Sequence, residues 1–173
     1  MSAIPTNAYI QQRNNYLPKN LRLIFIFESP PAHKGYFYDD EGTSGELLYR
    51  TLTELLLGTR PEDKKEGLKM FADAGYLLVN PVYVPVNKLP DKEADRMILE
   101  SYPSLVRDLD ELMQGRHVPI ILVKKNICRL LEPLLVGDGF KVLNNGRMIP
   151  FPMHYHRPDF EQSVKELMSN LQI

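Results

Sequence analysis

Four clusters of polar residues follow apolar runs of the sequence, and their side chains could bind a ligand and act on it. The clusters begin at Glu28, Asn80, Lys124 and His154. A carboxylate, an amide, an ammonium group and an imidazole together offer acid–base chemistry, hydrogen bonding and charge stabilisation. Groups of these types predict a pocket for a planar polar ligand that carries anionic groups.

The elements that must position these clusters are predicted from the apolar runs. Residues 21–27 predict a strand that is buried on both faces, because only Arg22 interrupts the run. The proline pair at 30–31 ends this strand, since proline has no N–H for a sheet ladder. Runs at 76–79 and 118–123 alternate with segments of helical periodicity, which predicts a parallel sheet with helices on both faces. The polar clusters are therefore expected to meet at the carboxyl edge of the sheet.

The predicted fold is α/β, a three-layer α/β/α sandwich with a central, mainly parallel four-stranded sheet. Residues 141–143 and 148–153 are the candidates for the last strand. Residues 43–46, Thr-Ser-Gly-Glu, match a capping box and predict a helix start. Residues 1–173 are expected to form a single domain, with residues 1–20 as an N-terminal extension.

Composition limits the possible functions. The 173 residues carry a net charge of −1, so any contact with nucleic acid must depend on local charge. Cys128 is the only cysteine, which excludes a disulfide or a cysteine-ligated cluster within the chain. The sequence has no P-loop, dinucleotide-binding or zinc-protease motif. It has no apolar run near the roughly 20 residues of a membrane span and no secretory signal pattern. A cytoplasmic protein with no membrane partner is expected.

The order of the motifs resembles the uracil-DNA glycosylase superfamily. Residues 27–31, Phe-Glu-Ser-Pro-Pro, stand in the place of a G-E-x-P-G motif, and residues 42–48 in the place of a G-R-S-G-E-L-L-like helix start. Residues 80–88 are similar to the strand end that carries the base-reading asparagine. Residues 151–157, Phe-Pro-Met-His-Tyr-His-Arg, stand in the place of an H-P-S-like segment. The resemblance covers residues 21–170, and its specificity lies in the order of the motifs.

The sequence also departs from the pattern of this superfamily. Ser29 stands where several branches carry a catalytic Asp or Asn, and Lys124 stands where the family has glycine. The H-P-S-like segment contains both His154 and His156, which leaves open which of them is the motif histidine. The cysteines of the iron–sulfur branches are absent, so the resemblance is to a divergent member without that cluster.

The resemblance implies a monofunctional hydrolase of base-excision DNA repair, which cleaves the N-glycosidic bond of uracil or a related damaged base. DNA is the implied partner, with the base single-stranded or flipped out of the duplex. The implied catalytic residues are Glu28 and His154. The implied base-binding residues are Phe37, Asn80, Ser29 and Tyr38. The implied phosphate-binding residues are Lys34, Lys88, Lys124, Lys125 and Arg157. No cofactor and no metal are implied.

Two other functions remain open. The same fold could bind a nucleotide or nucleic acid without catalysis, and Ser29 together with the small net charge favours that function. It could instead hydrolyse a free nucleoside, because the acidic residues 39–41 near the pocket mouth would repel a phosphate backbone. The presence of Glu28, Asn80 and His154 favours an enzyme.

Overall fold

The computed structural model describes residues 7–171, and in this range the chain forms three β-strands and seven α-helices. The strands are β1 (Leu23–Ile26), β2 (Tyr76–Val79) and β3 (Ile120–Leu122). The helices are α1 (Ala8–Asn14), α2 (Leu47–Leu57), α3 (Lys64–Asp73), α4 (Asp91–Glu100), α5 (Tyr102–Met113), α6 (Lys125–Gly137) and α7 (Arg157–Met168). A short 3-10 helix, His154–His156, precedes α7. Within the described range no helix is long and apolar enough to cross a membrane.

The three strands form one parallel sheet in the order β2-β1-β3. Leu23 of β1 lies opposite Tyr76 of β2, and Ile24 lies opposite Ile120 of β3. Every strand residue is buried. Because successive side chains of a strand point to opposite faces, both faces of the sheet are covered. The predicted α/β class and the parallel sheet are confirmed.

The position of the predicted fourth strand holds a single parallel bridge, between Ile120 and Val142, and residues 148–153 are not part of the sheet that the structure describes. The side chain of Asn144 explains the difference. Its Oδ1 accepts from the Leu122 N–H at 2.8 Å, and its Nδ2 donates to the Leu122 carbonyl at 2.9 Å. One side-chain amide thus satisfies the two backbone groups of β3 that a longer fourth strand would bond.

The described part of the predicted N-terminal extension packs on the domain. Arg13 of α1 is 2% exposed and forms an ion pair of 2.7 Å with Asp108 of α5. The ring of Tyr9 meets the ring of Tyr36 edge-on, at 4.9 Å between centroids. Residues 1–6 and 172–173 lie outside the range that the structure describes. Residues 7–20 therefore contribute to the core of the domain.

The predicted capping box at residues 43–46 is wrong. Helix α2 begins at Leu47, and the Glu46 side chain makes no capping hydrogen bond. The Glu46 carboxylate instead accepts from the Lys64 ammonium at 2.7 Å. Lys64 also donates to the carbonyls of Tyr36, at 2.9 Å, and Asp39, at 2.7 Å. A buried charge binds the carboxylate more strongly than a helix N-terminus does, and this pairing holds the loop before α2.

Candidate functional site

A cleft of about 930 Å³ opens at the carboxyl edge of the sheet, and we call it the main cleft. Its walls come from the loop after β1, the loop before α2, the residue after β2, the start of α6 and the segment before α7. Ligands of open α/β sheets bind at this edge. The predicted meeting of the polar clusters is therefore confirmed in position.

Glu28 lies in the main cleft as a carboxylate that accepts one hydrogen bond at each oxygen. Its side chain is 8% exposed, and its Oε1 is 2.7 Å from the Lys124 ammonium. Its Oε2 accepts from Nδ2 of Asn126 at 2.6 Å. These two contacts fix the carboxylate and match its ionised form. Such a group can orient a water molecule or offset a positive charge that develops on a sugar. Asn126 was missed in the sequence, although its place in the first turn of the helix after β3 could have indicated it.

Lys124 carries this ion pair from a strained backbone. Its φ is 88° and its ψ is 137°, a conformation that suits glycine. Its own N–H donates to the Ile149 carbonyl at 2.7 Å, and its side chain reaches back to Glu28. Glycine is the residue that the resemblance places here. A lysine in this conformation stores about 1–3 kcal/mol of strain.

The strain at Lys124 gives a stability prediction. We expect Lys124→Gly to unfold with a free energy higher than that of Lys124→Ala by at least about 1 kcal/mol, because both lose the ion pair and only glycine relieves φ. At an ordinary helix position, a glycine lowers the free energy of unfolding by about 0.5–1 kcal/mol relative to an alanine. Urea unfolding of both pairs of variants measures this, with Lys125→Gly and Lys125→Ala as controls. If Lys124→Ala were as stable as Lys124→Gly, the backbone at position 124 would not be strained.

Asn80 lines the main cleft, and its side chain carries a buried acceptor without a hydrogen-bond partner in the described structure. It is 3% exposed, and its Nδ2 donates to the Phe27 carbonyl at 3.2 Å. That contact fixes the orientation of the amide, because a carbonyl needs a donor opposite it. Its Oδ1 is buried and has no hydrogen-bond partner in the described structure. An unsatisfied buried acceptor costs about 1–3 kcal/mol. The amide can accept one hydrogen bond from a ligand N–H and donate its second Nδ2 hydrogen to a neighbouring ligand oxygen.

The aromatic residues divide into a cleft wall and a support. Phe37 lines the main cleft and is held edge-on by Tyr38, at 4.8 Å, and by Phe71, at 5.0 Å. Tyr38 was predicted in the base pocket, but it is not part of the cleft wall, although it and Phe37 are both 1% exposed. Its hydroxyl oxygen accepts from the Leu78 N–H of β2 at 2.9 Å. Burial raises the pKa of Tyr38, so the hydroxyl stays neutral. The role of Tyr38 in base binding is corrected to that of a support for Phe37.

Ser29 lines the main cleft as predicted. Its Oγ accepts from the Val86 N–H at 3.2 Å, which ties the loop after β1 to the loop after β2. The hydroxyl hydrogen of Ser29 is left to donate to a ligand.

Only part of the predicted cationic set reaches the main cleft. Lys34, Lys124 and Lys125 line it. Lys88 lies outside its walls, and its ammonium is 3.4 Å from the Nε2 of exposed His33. Arg157 also lies outside, since its guanidinium is bound in ion pairs to Glu54, at 2.7 Å, and to Glu161, at 2.8 Å. Lys88 and Arg157 thus lie apart from the cleft wall, and their phosphate contacts stay predictions.

The histidine at the main cleft is His156, whereas His154 was the catalytic residue that the resemblance implied. His156 lines the cleft and His154 does not. His154 begins the 3-10 helix with a φ of 47°, and two residues apart in such a helix point about 120° away from each other. The two side chains therefore point in different directions, and His156 is the histidine that can contact a ligand in the cleft.

A second cavity of about 310 Å³, the side cavity, lies beyond the ion pair of Glu28 and Lys124. It shares both of these residues with the main cleft, and Asn87 also lines both. Arg129 of α6 lines it and pairs with Asp95 of α4 at 2.7 Å. The ion pair is thus the wall between two adjoining spaces.

Comparisons with known proteins add no relative. No protein-family profile, no curated protein and no solved structure matches this chain. Among residues 7–171 no group of three or more His, Cys, Asp or Glu side chains is arranged to hold a metal ion. The geometry of the site is therefore the basis for inferring its chemistry.

Proposed function

We propose that the main cleft binds a uracil-like base extruded from DNA, and that the protein hydrolyses the N-glycosidic bond of that nucleotide. The observation that carries this proposal is the buried, unpaired Oδ1 of Asn80 beside a free Nδ2 hydrogen. Uracil offers N3–H and O4 as the matching donor and acceptor, whereas cytosine offers an acceptor and a donor in the reverse order. A site built on hydrogen bonds rejects the mismatched base, because its buried groups would stay unpaired.

The fold supports the same proposal. The parallel order β2-β1-β3 and the burial of both sheet faces suit a three-layer sandwich of the uracil-DNA glycosylase type. In that superfamily a carboxylate, an aromatic, an asparagine and a histidine follow in this chain order. The main cleft collects Glu28, Phe37, Asn80 and His156 in the same order.

Each residue then has a role in the reaction. Phe37 packs against the base, and Asn80 reads its edge. Glu28 orients a water molecule whose oxygen bonds to C1′, and the carboxylate takes up its proton. The C1′–N1 bond breaks with its electron pair going to the base. His156 donates a hydrogen bond to the anionic oxygen that develops on uracil.

Exposed side chains around the cleft support DNA as the ligand. Lys34 and Lys125 are exposed at its walls and can contact phosphates, while Lys124 is engaged by Glu28. Tyr155, 84% exposed, stands beside His156 with 4.8 Å between ring centroids. An exposed aromatic ring of this kind can stack on the base next to the extruded one.

Binding without hydrolysis is the second candidate. The observation in its favour is that both carboxylate oxygens of Glu28 already accept strong hydrogen bonds, from Lys124 and Asn126. A carboxylate held by two donors has fewer free lone pairs with which to accept from a water molecule.

A uracil-containing oligonucleotide separates the candidates. We incubate the protein with a labelled single strand that carries one uracil and then treat it with hot alkali. Scission at that position is expected, with no scission of strands that carry cytosine there. Retention of the uracil strand without scission would indicate a binding module. Release of uracil from uridine, with an inert strand, would indicate a nucleoside hydrolase.

The two histidines give a paired prediction. We expect His156→Ala to slow uracil excision by about 10²–10³-fold, because the developing oxyanion loses its donor. His154→Ala is expected to stay within a few-fold of the wild type, because His154 does not line the cleft. Single-turnover rates on the same strand check both. A larger loss in His154→Ala than in His156→Ala would overturn the assignment of His156.

A further inference from the structure

The base-reading asparagine is supported from behind by a chain of polar contacts that begins in α5. Asp108 binds Arg13 through two hydrogen bonds, of 2.7 and 3.1 Å. Arg13 donates to the Tyr83 hydroxyl oxygen at 2.9 Å. The same oxygen accepts from the backbone N–H of Asn80 at 3.1 Å. This path joins an otherwise remote helix to the residue that carries the unpaired acceptor.

The geometry points to Arg13 and Tyr83 as positioning residues for Asn80, an inference that rests on the proposed function. The chain Asp108–Arg13–Tyr83 fixes the Asn80 backbone while the Phe27 carbonyl fixes its amide. The two contacts act on opposite ends of the residue, so they constrain both the backbone and the side-chain amide of Asn80. α1 is therefore a working part of the base pocket.

The chemistry of the chain suits a fixed support. Burial disfavours the charge of Arg13, but its contacts with Asp108 and Tyr83 together outweigh burial and raise its pKa, so the guanidinium stays charged. Desolvation raises the pKa of Tyr83, and Arg13 only partly opposes that rise, so the phenol stays neutral. The Asn7 side chain adds a second tie, since its Nδ2 donates to the Tyr83 carbonyl at 3.1 Å. Both ends of Tyr83 are thus held by the α1 region.

A reading group must be placed to within a fraction of an ångström. A shift of about 1 Å, caused by a change away from the reacting atoms, can slow a reaction about 10²-fold. Tyr83→Phe removes only the hydroxyl and keeps the ring. We expect it to lower kcat for uracil excision by about 10–100-fold with little change in KM. We also expect the Asn80 N–H to exchange with solvent at least about 10-fold faster, because it loses its acceptor.

A matched control separates positioning from general stability. Tyr49 is buried, and its hydroxyl donates to the Pro61 carbonyl at 2.7 Å away from the cleft walls. Tyr49→Phe makes the same chemical change, and we expect it to leave kcat and Asn80 exchange unchanged. Arg13→Lys keeps the positive charge but loses the planar guanidinium that bonds Asp108 and Tyr83 together. We expect its kcat to lie between those of the wild type and Tyr83→Phe.

Hydrogen exchange of the ¹⁵N-labelled full chain, followed by NMR, tests the inference independently of activity. Unchanged Asn80 exchange in Tyr83→Phe would overturn the positioning role, whether or not the protein excises uracil. An active wild type with equal kcat in Tyr83→Phe would overturn it as well. If the wild type excises no base, the proposed function fails. Faster exchange of the Asn80 N–H in Tyr83→Phe would then still show that Tyr83 positions the backbone of Asn80.

Discussion

Asn80→Ala is expected to abolish uracil excision while leaving the protein almost as stable as the wild type. The variant removes the one hydrogen bond of the side chain, to the Phe27 carbonyl, and also removes an acceptor that has no partner. Loss of the hydrogen bond lowers the free energy of unfolding, whereas removal of the buried, unpaired Oδ1 raises it. We therefore expect a net change of less than about 1 kcal/mol. The excision rate is expected to fall by at least about 10³-fold, because the base edge loses its reader.

Asn144→Ala is the matched control for this prediction. Asn144 is 2% exposed, and its amide is fully used by Leu122, Arg147 and Cys128. Its removal leaves the buried N–H of Leu122 without an acceptor, so we expect a loss of about 2–4 kcal/mol in unfolding free energy. Excision per folded molecule should stay near the wild-type rate, because Asn144 is not part of the cleft wall.

Urea unfolding and single-turnover excision measure the two quantities for both variants. Equal destabilisation by Asn80→Ala and Asn144→Ala would mean that Oδ1 of Asn80 is satisfied in the free protein. Normal excision by Asn80→Ala would remove the basis of the proposed base recognition. The stability difference remains testable even on a protein with no glycosylase activity.

The sequence predicted the positions of the site better than the roles of single residues. Buried parallel strands must end at one edge, so Glu28, Asn80 and Lys124 could be placed together from their positions after apolar runs. Local backbone geometry decided the rest. His154 and His156 have equal chemistry and nearly equal positions, and only the 3-10 helix separates their directions.

Long-range side-chain contacts were beyond prediction from local pattern. The spacing of Thr43 and Glu46 has the form of a capping box, but Lys64, 18 residues after Glu46, takes the carboxylate. The prediction of a fourth strand was wrong for a similar reason, because the Asn144 side chain bonds the N–H and the carbonyl of Leu122 at the edge of β3. In both cases a side chain forms the hydrogen bond that a nearby backbone group was predicted to form. The periodicity of the sequence does not indicate such long-range contacts.

Lys64→Met is expected to cost about 3–5 kcal/mol of unfolding free energy, because it breaks a buried ion pair and leaves its partners unbonded. The Lys64 side chain is 1% exposed, and its three contacts bind the carbonyls of Tyr36 and Asp39 and the carboxylate of Glu46. These acceptors flank Phe37. The loop that forms the aromatic wall of the main cleft should therefore loosen, and hydrogen exchange at residues 36–46 should increase.

Lys65→Met provides the control for this loss. The neighbouring Lys65 is 59% exposed, and its pairing with Glu41 at 3.8 Å is loose, so we expect its replacement to change unfolding free energy by less than about 0.5 kcal/mol. Adding Glu46→Gln to Lys64→Met should recover part of the stability, because an unpaired carboxylate is costlier to bury than an amide. Urea unfolding of the wild type, Lys64→Met, Glu46→Gln and the double variant completes the cycle. If Lys64→Met were as stable as Lys65→Met, the buried ammonium would not be what holds the aromatic wall, and the rigidity of Phe37 would have to come from Tyr38 and Phe71 alone.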